Sequence, residues 1–132
     1  MDRFSRACLI AALMLLPLPA VAQDSAAGEI VFKKCAACHA IGEGAKNRVG
    51  PELNGLIGRP AGTINGFKYS PAMLSSGLVW DAATLANYLK SPKDLVPKTK
   101  MAFAGLKADE DIANIIAYIA QFDASGAKVA GQ

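Results

Sequence analysis

Two cysteines and the only histidine of this 132-residue chain lie together in the stretch Cys35–His39, which reads CAACH. This cluster constrains the fold, because the three side chains lie within five residues and must therefore be close together in space. The stretch could form a disulfide, half of a metal site, a thioredoxin-like redox pair or the attachment point of a cofactor. The rest of the chain discriminates between these four interpretations.

The N-terminus has the pattern of a secretory signal peptide. Arg3 and Arg6 precede an uncharged apolar run over residues 7–22, which ends on small residues. We expect cleavage after Ala22, which removes Cys8 and leaves residues 23–132 as a single domain. The apolar run is shorter than the roughly 20 residues of a membrane span, and it contains two prolines. An uncleaved anchor is the alternative interpretation.

After cleavage the chain keeps too few ligands for a closed metal site. A structural zinc ion needs four Cys or His ligands and an iron–sulfur cluster normally needs four thiolates, but only Cys35, Cys38 and His39 remain. A thioredoxin-like pair belongs beside a βαβ pattern, and no strand pattern develops. A disulfide remains possible but leaves the histidine without a role. Covalent haem attachment uses all three residues, because cysteines three apart on a helical turn can both reach one porphyrin while the histidine binds its iron.

Helix signals dominate the remaining sequence and predict an all-α fold. We expect a first helix over residues 25–38, a short helix capped by Ser70 and a longer one capped by Asp81. A last helix should begin near Asp109, because apolar residues recur from there at helical spacing as far as Phe122.

Glycines mark two further features. Gly28 lies inside the first predicted helix, where glycine costs about 1 kcal/mol relative to alanine, so we interpret it as the site of a close helix crossing. Seven glycines lie within residues 42–66. A long glycine-rich loop in so small a domain requires a functional explanation.

The iron's second axial ligand must come from elsewhere in the chain. Met1 and Met14 leave with the signal peptide, so Met73 and Met101 are the sulfur candidates. A lysine could also bind, but only after its amine loses its proton. The residues alone leave these alternatives open, because methionine is also a common core residue.

Five segments carry a family resemblance that covers residues 28–122. They read GEIVFKKCAACHAIG, GPELNGLIGRPAG, GFKYSPAM, GLVWDAATLANYLKSP and PKTKMAFAG. Together they resemble class I cytochrome c, in the branch shared by mitochondrial cytochrome c and bacterial periplasmic relatives, and the exported start favours a bacterial member. The resemblance implies about five short helices and long loops around one haem c with two thioether bonds, and a crossing of the first and last helices.

The resemblance also implies roles for individual residues. Met101 would be the sixth iron ligand, and the Pro51 carbonyl would accept the ring N–H of His39. The other haem-environment residues would be Arg59, Tyr69 and Trp80 near the propionates, Tyr88 and Thr99 near the methionine, and Phe103 at the haem edge. Met73 departs from the family pattern, since many members have there an asparagine hydrogen-bonded near the haem and a thioether cannot donate such a bond.

Charge placement predicts the kind of partner. The formal net charge of +3 is small, and with an export signal it argues against nucleic-acid binding. Lysines nevertheless flank the attachment and ligand segments, which predicts a positive rim that steers the protein to acidic docking faces. The positions that match the family's docking ring are Lys34, Arg48, Lys93, Lys100 and Lys107.

The predicted function is that of a soluble, monomeric periplasmic one-electron carrier in a respiratory or photosynthetic chain, and not that of an enzyme. Its donor would be a cytochrome bc-type complex, and its acceptor an oxidase, a photosynthetic reaction centre or a reductase, without stable membrane insertion. The alternative is a haem enzyme or ligand-binding sensor with weak peroxidase activity. The two hypotheses differ at Met101, since a filled sixth position leaves no place for oxygen or peroxide.

Overall fold

Five α-helices joined by long irregular loops make up the fold. The computed structural model describes residues 23–129, and the expected signal peptide over residues 1–22 lies outside them. The helices are α1 (Ser25–Phe32), α2 (Pro71–Leu74), α3 (Ala82–Lys90), α4 (Pro92–Leu95) and α5 (Asp109–Ile119). Within residues 23–129 the only β pairing consists of two isolated bridges, so the all-α prediction is confirmed.

Polar side chains cap three of the helices. The Asp24 carboxylate accepts hydrogen bonds from two backbone N–H groups in the first turn of α1. Ser70 caps α2 at 3.1 Å, and Asp81 caps α3 at 2.7 Å. These bonds satisfy N–H groups that have no partner inside the helix. Hydrogen bonds to the ionised form also lower the pKa of Asp81, so the cap remains charged at neutral pH.

The first helix ends earlier than the sequence predicts. The expected helix over residues 25–38 ends at Phe32, and residues 33–38 form successive turns. The N–H groups of Lys33, Lys34 and Cys35 each bond to the carbonyl three residues back. Bonds of this kind wind the chain more tightly than an α-helix. The CAACH stretch therefore lies in a tightened turn that follows α1.

Helices α1 and α5 cross where Gly28 meets α5. A Cβ at Gly28 would overlap the Asn114 carbonyl group and would lie 2.9 Å from the Tyr118 Cβ. The Asn114 side chain accepts a hydrogen bond of 2.9 Å from the backbone N–H of Asp24. The predicted close crossing at Gly28 is confirmed, because only a residue without a side chain fits there.

The apolar face of α5 forms the centre of the core. Ile115 is fully buried, and the rings of Phe32 and Phe122 both lie 5.3 Å from that of Tyr118. The helical spacing that predicted this face continues to Phe122, although α5 itself ends at Ile119. In the described part of the chain, no helix is both long enough and apolar enough to cross a bilayer.

We expect Gly28→Ala to lower the free energy of unfolding by about 1–3 kcal/mol, because the added methyl group forces α1 and α5 apart. This loss should occur although alanine favours a helix more than glycine does. Chemical denaturation of the haem-loaded protein measures it. The exposed neighbour provides the control, since Glu29→Ala should change stability by less than about 0.5 kcal/mol. Equal stability of the two variants would contradict a tight crossing.

Candidate functional site

A cavity of about 380 Å³ lies between α3, α5, the CAACH turn and the loop that carries Met101. Core side chains such as Leu53, Leu85 and Ile115 form part of its wall. The residues that the sequence assigned to ligand, attachment and haem-environment roles also line it: Cys35, Cys38, His39, Pro51, Arg59, Tyr69, Trp80, Tyr88, Thr99, Met101 and Phe103. The fold therefore brings residues from distant parts of the chain to one cavity.

The His39 ring is held by the loop that follows it. Its Nδ1 lies 2.7 Å from the Pro51 carbonyl oxygen. A carbonyl can only accept, so Nδ1 carries the hydrogen and Nε2 of the neutral ring keeps a free lone pair. Burial lowers the pKa of His39, and the bond to Pro51 opposes this effect. The structure thus favours a neutral imidazole with Nε2 available as a metal ligand.

The two cysteines lie at the same cavity as the histidine. Both are half-buried, and no disulfide joins them. Burial raises the pKa of the Cys35 thiol, the neighbouring Cys38 raises it further, and Lys34 opposes the shift. The surroundings of Cys35 therefore do not stabilise the thiolate that a thiol–disulfide oxidoreductase requires. It does suit cysteines that form bonds to an apolar group inside the cavity.

The hydroxyl groups of Tyr88 and Thr99 both contact Met101, the first at its sulfur and the second at its backbone N–H. The Tyr88 hydroxyl lies 3.1 Å from the Thr99 Oγ1 and 3.9 Å from the Met101 Sδ. The backbone N–H of Met101 donates to the same Thr99 hydroxyl at 3.3 Å. Burial raises the pKa of Tyr88, which keeps its hydroxyl protonated and able to donate. Met73 also lines the cavity.

Arg59 and Trp80 hold part of the glycine-rich loop over residues 42–66. The Arg59 guanidinium donates to the backbone carbonyls of Glu52 and Asn54 at 3.1–3.3 Å. Burial lowers the pKa of Arg59, although a guanidinium remains charged in proteins. The Trp80 backbone N–H donates to the Arg59 carbonyl at 2.9 Å, and its ring lies 4.9 Å from that of Tyr88.

Comparison with known proteins identifies the family. The cytochrome c family model matches residues 25–123. The chain belongs to the cytochrome c family. It is 54% identical over 110 residues to cytochrome c2 of Blastochloris viridis, covering 83% of this chain and 87% of that protein. It is 56% identical over 102 residues to cytochrome c-550 of Bradyrhizobium diazoefficiens, covering 77% of this chain and 75% of that protein.

A solved structure supports the same fold. Cytochrome cH from Methylobacterium extorquens superposes with a TM-score of 0.70 at 43% sequence identity, covering 74% of this chain and 98% of that one. The predicted cytochrome c fold is confirmed. Proteins of this family are electron carriers, and their cofactor is covalently attached haem c.

The cavity of this cytochrome c fits that cofactor. Cys35, Cys38 and His39 match the CxxCH attachment motif of haem c, and all three line one largely apolar cavity. The wall also contains the thioether of Met101, a soft ligand suited to haem iron. Residues 23–129 contain no cluster of His, Cys, Asp or Glu side chains that could hold a bare metal ion.

The five predicted docking residues differ in whether they line this cavity. All five are exposed. Lys34 and Lys100 line the cavity itself, and Lys93 borders a surface recess of about 400 Å³ whose wall includes Phe103. The Arg48 guanidinium donates to the carbonyl of Ala36, between the two cysteines, at 2.9 Å. Lys107 does not line the cavity and precedes α5.

Sequence reasoning missed several residues of the cavity. Phe67 lines it, and the Lys100 ammonium lies 4.7 Å from the centre of the Phe67 ring while it donates to the carbonyl of Lys68. This contact connects the Met101 loop with the segment before α2, and no periodicity signals it. Gly50 also lines the cavity, against the His39 ring. The glycine-rich composition of residues 42–66 was the available signal, but it did not single out this position.

We expect Gly50→Ala to disturb the histidine side of the site. An added methyl group would lie 2.7 Å from both ring nitrogens of His39, so the ring or the loop must move. The free energy of unfolding should fall by about 1–3 kcal/mol, and the visible spectrum of the haem should change. Denaturation and absorption spectroscopy measure the two effects.

Gly44→Ala is the matched control for this substitution. Gly44 has a positive φ, but nothing lies within 4 Å of an added Cβ. The substitution should cost only about 1–2 kcal/mol of backbone strain and leave the spectrum unchanged. Identical spectra for the Gly50 and Gly44 variants would contradict a direct contact with the ring.

Proposed function

We propose that this cytochrome c is a soluble periplasmic one-electron carrier with His39 and Met101 as the axial ligands of its haem iron. Cys35 and Cys38 would hold the haem through two thioether bonds. The observation that carries this proposal is the lining of one apolar cavity by both thiols, a His39 ring oriented by Pro51 and a Met101 sulfur next to the Tyr88 hydroxyl. The haem supplies an iron centre that can gain and lose one electron.

The protein's residues would set the properties of that centre. The hydrogen bond from His39 to Pro51 fixes the tautomer and strengthens the ring as a donor. A methionine ligand favours the reduced state, and so does burial in an apolar cavity. The Tyr88 hydroxyl, by donating to the Met101 sulfur, reduces the electron density that sulfur offers and acts in the same direction.

The remaining residues of the cavity would hold the cofactor's polar edge and its exposed edge. Arg59, Tyr69 and Trp80 would lie near the propionates. This proposal is supported by the half-buried charge of Arg59 and by a hydrogen bond from the Ile64 backbone N–H to the Tyr69 hydroxyl at 3.2 Å. Phe103 would lie at the edge through which the electron passes, since it borders both the cavity and the surface recess.

Met101→Ala tests the ligand set and, with it, the function. The variant should lose the sulfur-to-iron charge-transfer band, and the reduced protein should bind carbon monoxide at least about a hundredfold more tightly. In the wild type the proposed iron–sulfur bond would have to break first, so the fraction able to bind carbon monoxide would be small. The control is Met73→Ala, which should keep the band. A reduced wild-type protein that binds carbon monoxide as readily as Met101→Ala would support the haem enzyme or sensor instead.

Residues 1–22 would direct the chain across the inner membrane, and cleavage after Ala22 would release a domain of residues 23–132. The apolar run that ends on small residues supports this proposal. The expected partners are membrane redox complexes, with a bc-type complex as donor and an oxidase, reaction centre or reductase as acceptor. The exposed cations around the cavity would steer the protein to acidic faces of these complexes.

We expect Lys93→Glu to slow electron transfer with membranes of the host by about tenfold at low ionic strength, because it reverses a charge beside Phe103. The rate should also depend less on salt, while the reduction potential stays nearly constant. Stopped-flow kinetics at two ionic strengths measures this. The matched control is Lys128→Glu, an equal charge reversal at an exposed residue that lines neither the surface recess with Phe103 nor the cavity. Equal effects of the two reversals would argue against a docking face around Phe103.

A further inference from the structure

A ladder of four pairings connects the histidine turn with the loop that carries Pro51. We call residues 38–42 the ligand turn and residues 50–54 the proximal loop. The pairings are Gly50 N–H to Cys38 C=O at 2.8 Å, His39 Nδ1 to Pro51 C=O at 2.7 Å, Leu53 N–H to Ala40 C=O at 3.0 Å, and the Asn54 side chain to Gly42 at 2.8–2.9 Å. The hydrogen bond that orients His39 is therefore one of a series of four pairings between the ligand turn and the proximal loop.

Asn54 forms the last rung with its side chain. Its Oδ1 accepts from the Gly42 N–H at 2.8 Å, and its Nδ2 donates to the Gly42 carbonyl at 2.9 Å. One amide group thus pairs with both polar groups of one backbone residue, as a neighbouring strand would. Asn54 is 6% exposed, so water competes little for these bonds.

The backbone of Asn54 is held as well. Its N–H donates to the Glu52 carboxylate at 2.7 Å, and its carbonyl accepts from Arg59 at 3.1 Å. With all these groups in use, the residue cannot rotate away from the ligand turn without breaking several bonds. Asn54 is therefore fixed in both its side chain and its backbone.

The C-terminal segment packs on the outside of the pairing between Asn54 and Gly42. A Cβ at Gly126 would lie 2.7 Å from the Asn54 Nδ2 and would overlap the Gly42 carbonyl group. The Gly55 N–H donates to the Phe122 carbonyl at 3.1 Å. Residues 122–126 thus pack directly on the Asn54 side chain and on its neighbour in the chain.

We propose that Asn54 is a positioning residue for the axial histidine: by clamping the proximal loop to the ligand turn, it holds the Pro51 carbonyl on the His39 ring. Asn54 touches neither the ring nor the cavity, and it acts through the loop. The inference rests on the proposed axial role of His39. It assigns to this asparagine the task of keeping the ring in one tautomer and orientation.

Hydrogen exchange of the His39 ring N–H in the haem-loaded protein tests this role by NMR. In Asn54→Ala, this exchange should accelerate at least about tenfold relative to the backbone amide of Ile115, which reports opening of the core. The ratio separates local loosening of the proximal loop from a general loss of stability. Its value in the wild type is the reference.

Asn114→Ala is the matched control, because Asn114 is also a buried asparagine that accepts a backbone hydrogen bond, at the α1–α5 crossing. Asn114→Ala should lower the free energy of unfolding without changing the ratio of His39 ring N–H exchange to Ile115 amide exchange. If Asn54→Ala folds poorly, Asn54→Asp serves instead. It keeps the acceptor for Gly42 N–H, loses the donor to the Gly42 carbonyl and should accelerate the exchange about threefold or more.

An unchanged ratio in whichever of these Asn54 variants folds would overturn the positioning role. An equal change in Asn114→Ala would overturn it too, since any buried asparagine would then have the same effect. Failure of the proposed function looks different. In that case the wild-type His39 ring resonances would lack the large shifts that a bound haem iron causes, whatever the exchange rates of the variants.

Discussion

In a small chain that encloses a large flat cofactor, the same apolar side chains must both fill the core and line the cofactor cavity. Leu53, Leu85, Ile115 and Ile119 belong to the buried core and also line the cavity. The bound haem would therefore complete one wall of the core. Because a group that binds only the folded state stabilises it, the stability of this fold and the binding of its cofactor cannot be separated.

The α1–α5 crossing is formed by Gly28, Asn114 and Tyr118, which do not line the cavity. Gly28 lets the two helices approach, and Asn114 fixes the start of α1 through the backbone of Asp24. The CAACH turn follows α1 directly, so this crossing determines where the cysteines and His39 begin. The ladder from Cys38 to Asn54 then determines how the histidine ring is oriented.

The Met101 side is built from longer loops and different interactions. Tyr88 comes from α3, whereas Thr99 and Met101 come from the loop after α4. The contacts of Lys100 with Phe67 and Lys68 connect that loop to the segment before α2. The two sides of the site thus rest on separate supports: the ladder from Cys38 to Asn54 holds the histidine, and contacts of Tyr88, Thr99 and Lys100 hold the methionine loop.

Local patterns predicted much of the fold. Ser70 and Asp81 cap the helices that their positions indicated, and the apolar spacing of α5 marked its buried face. These features depend on neighbours in the chain, so sequence spacing is enough to reveal them. The end of α1 was wrong by six residues, at Phe32 instead of Cys38. Helix propensity does not report the tightened turn that presents the cysteines.

The sequence by itself indicated the cofactor and the attachment chemistry, because Cys35, Cys38 and His39 lie within five residues and covalent haem attachment gives all three a role. It left Met73 and Met101 as alternatives until the family resemblance was considered. The family resemblance implied that the Pro51 carbonyl and the Tyr88 side chain support these ligands, whereas only the tertiary structure decided that Asn54 supports the histidine side. Pro51, Tyr88 and Asn54 lie 12 or more residues from the groups they contact. Contacts over that separation depend on how the loops close, and no local pattern encodes them.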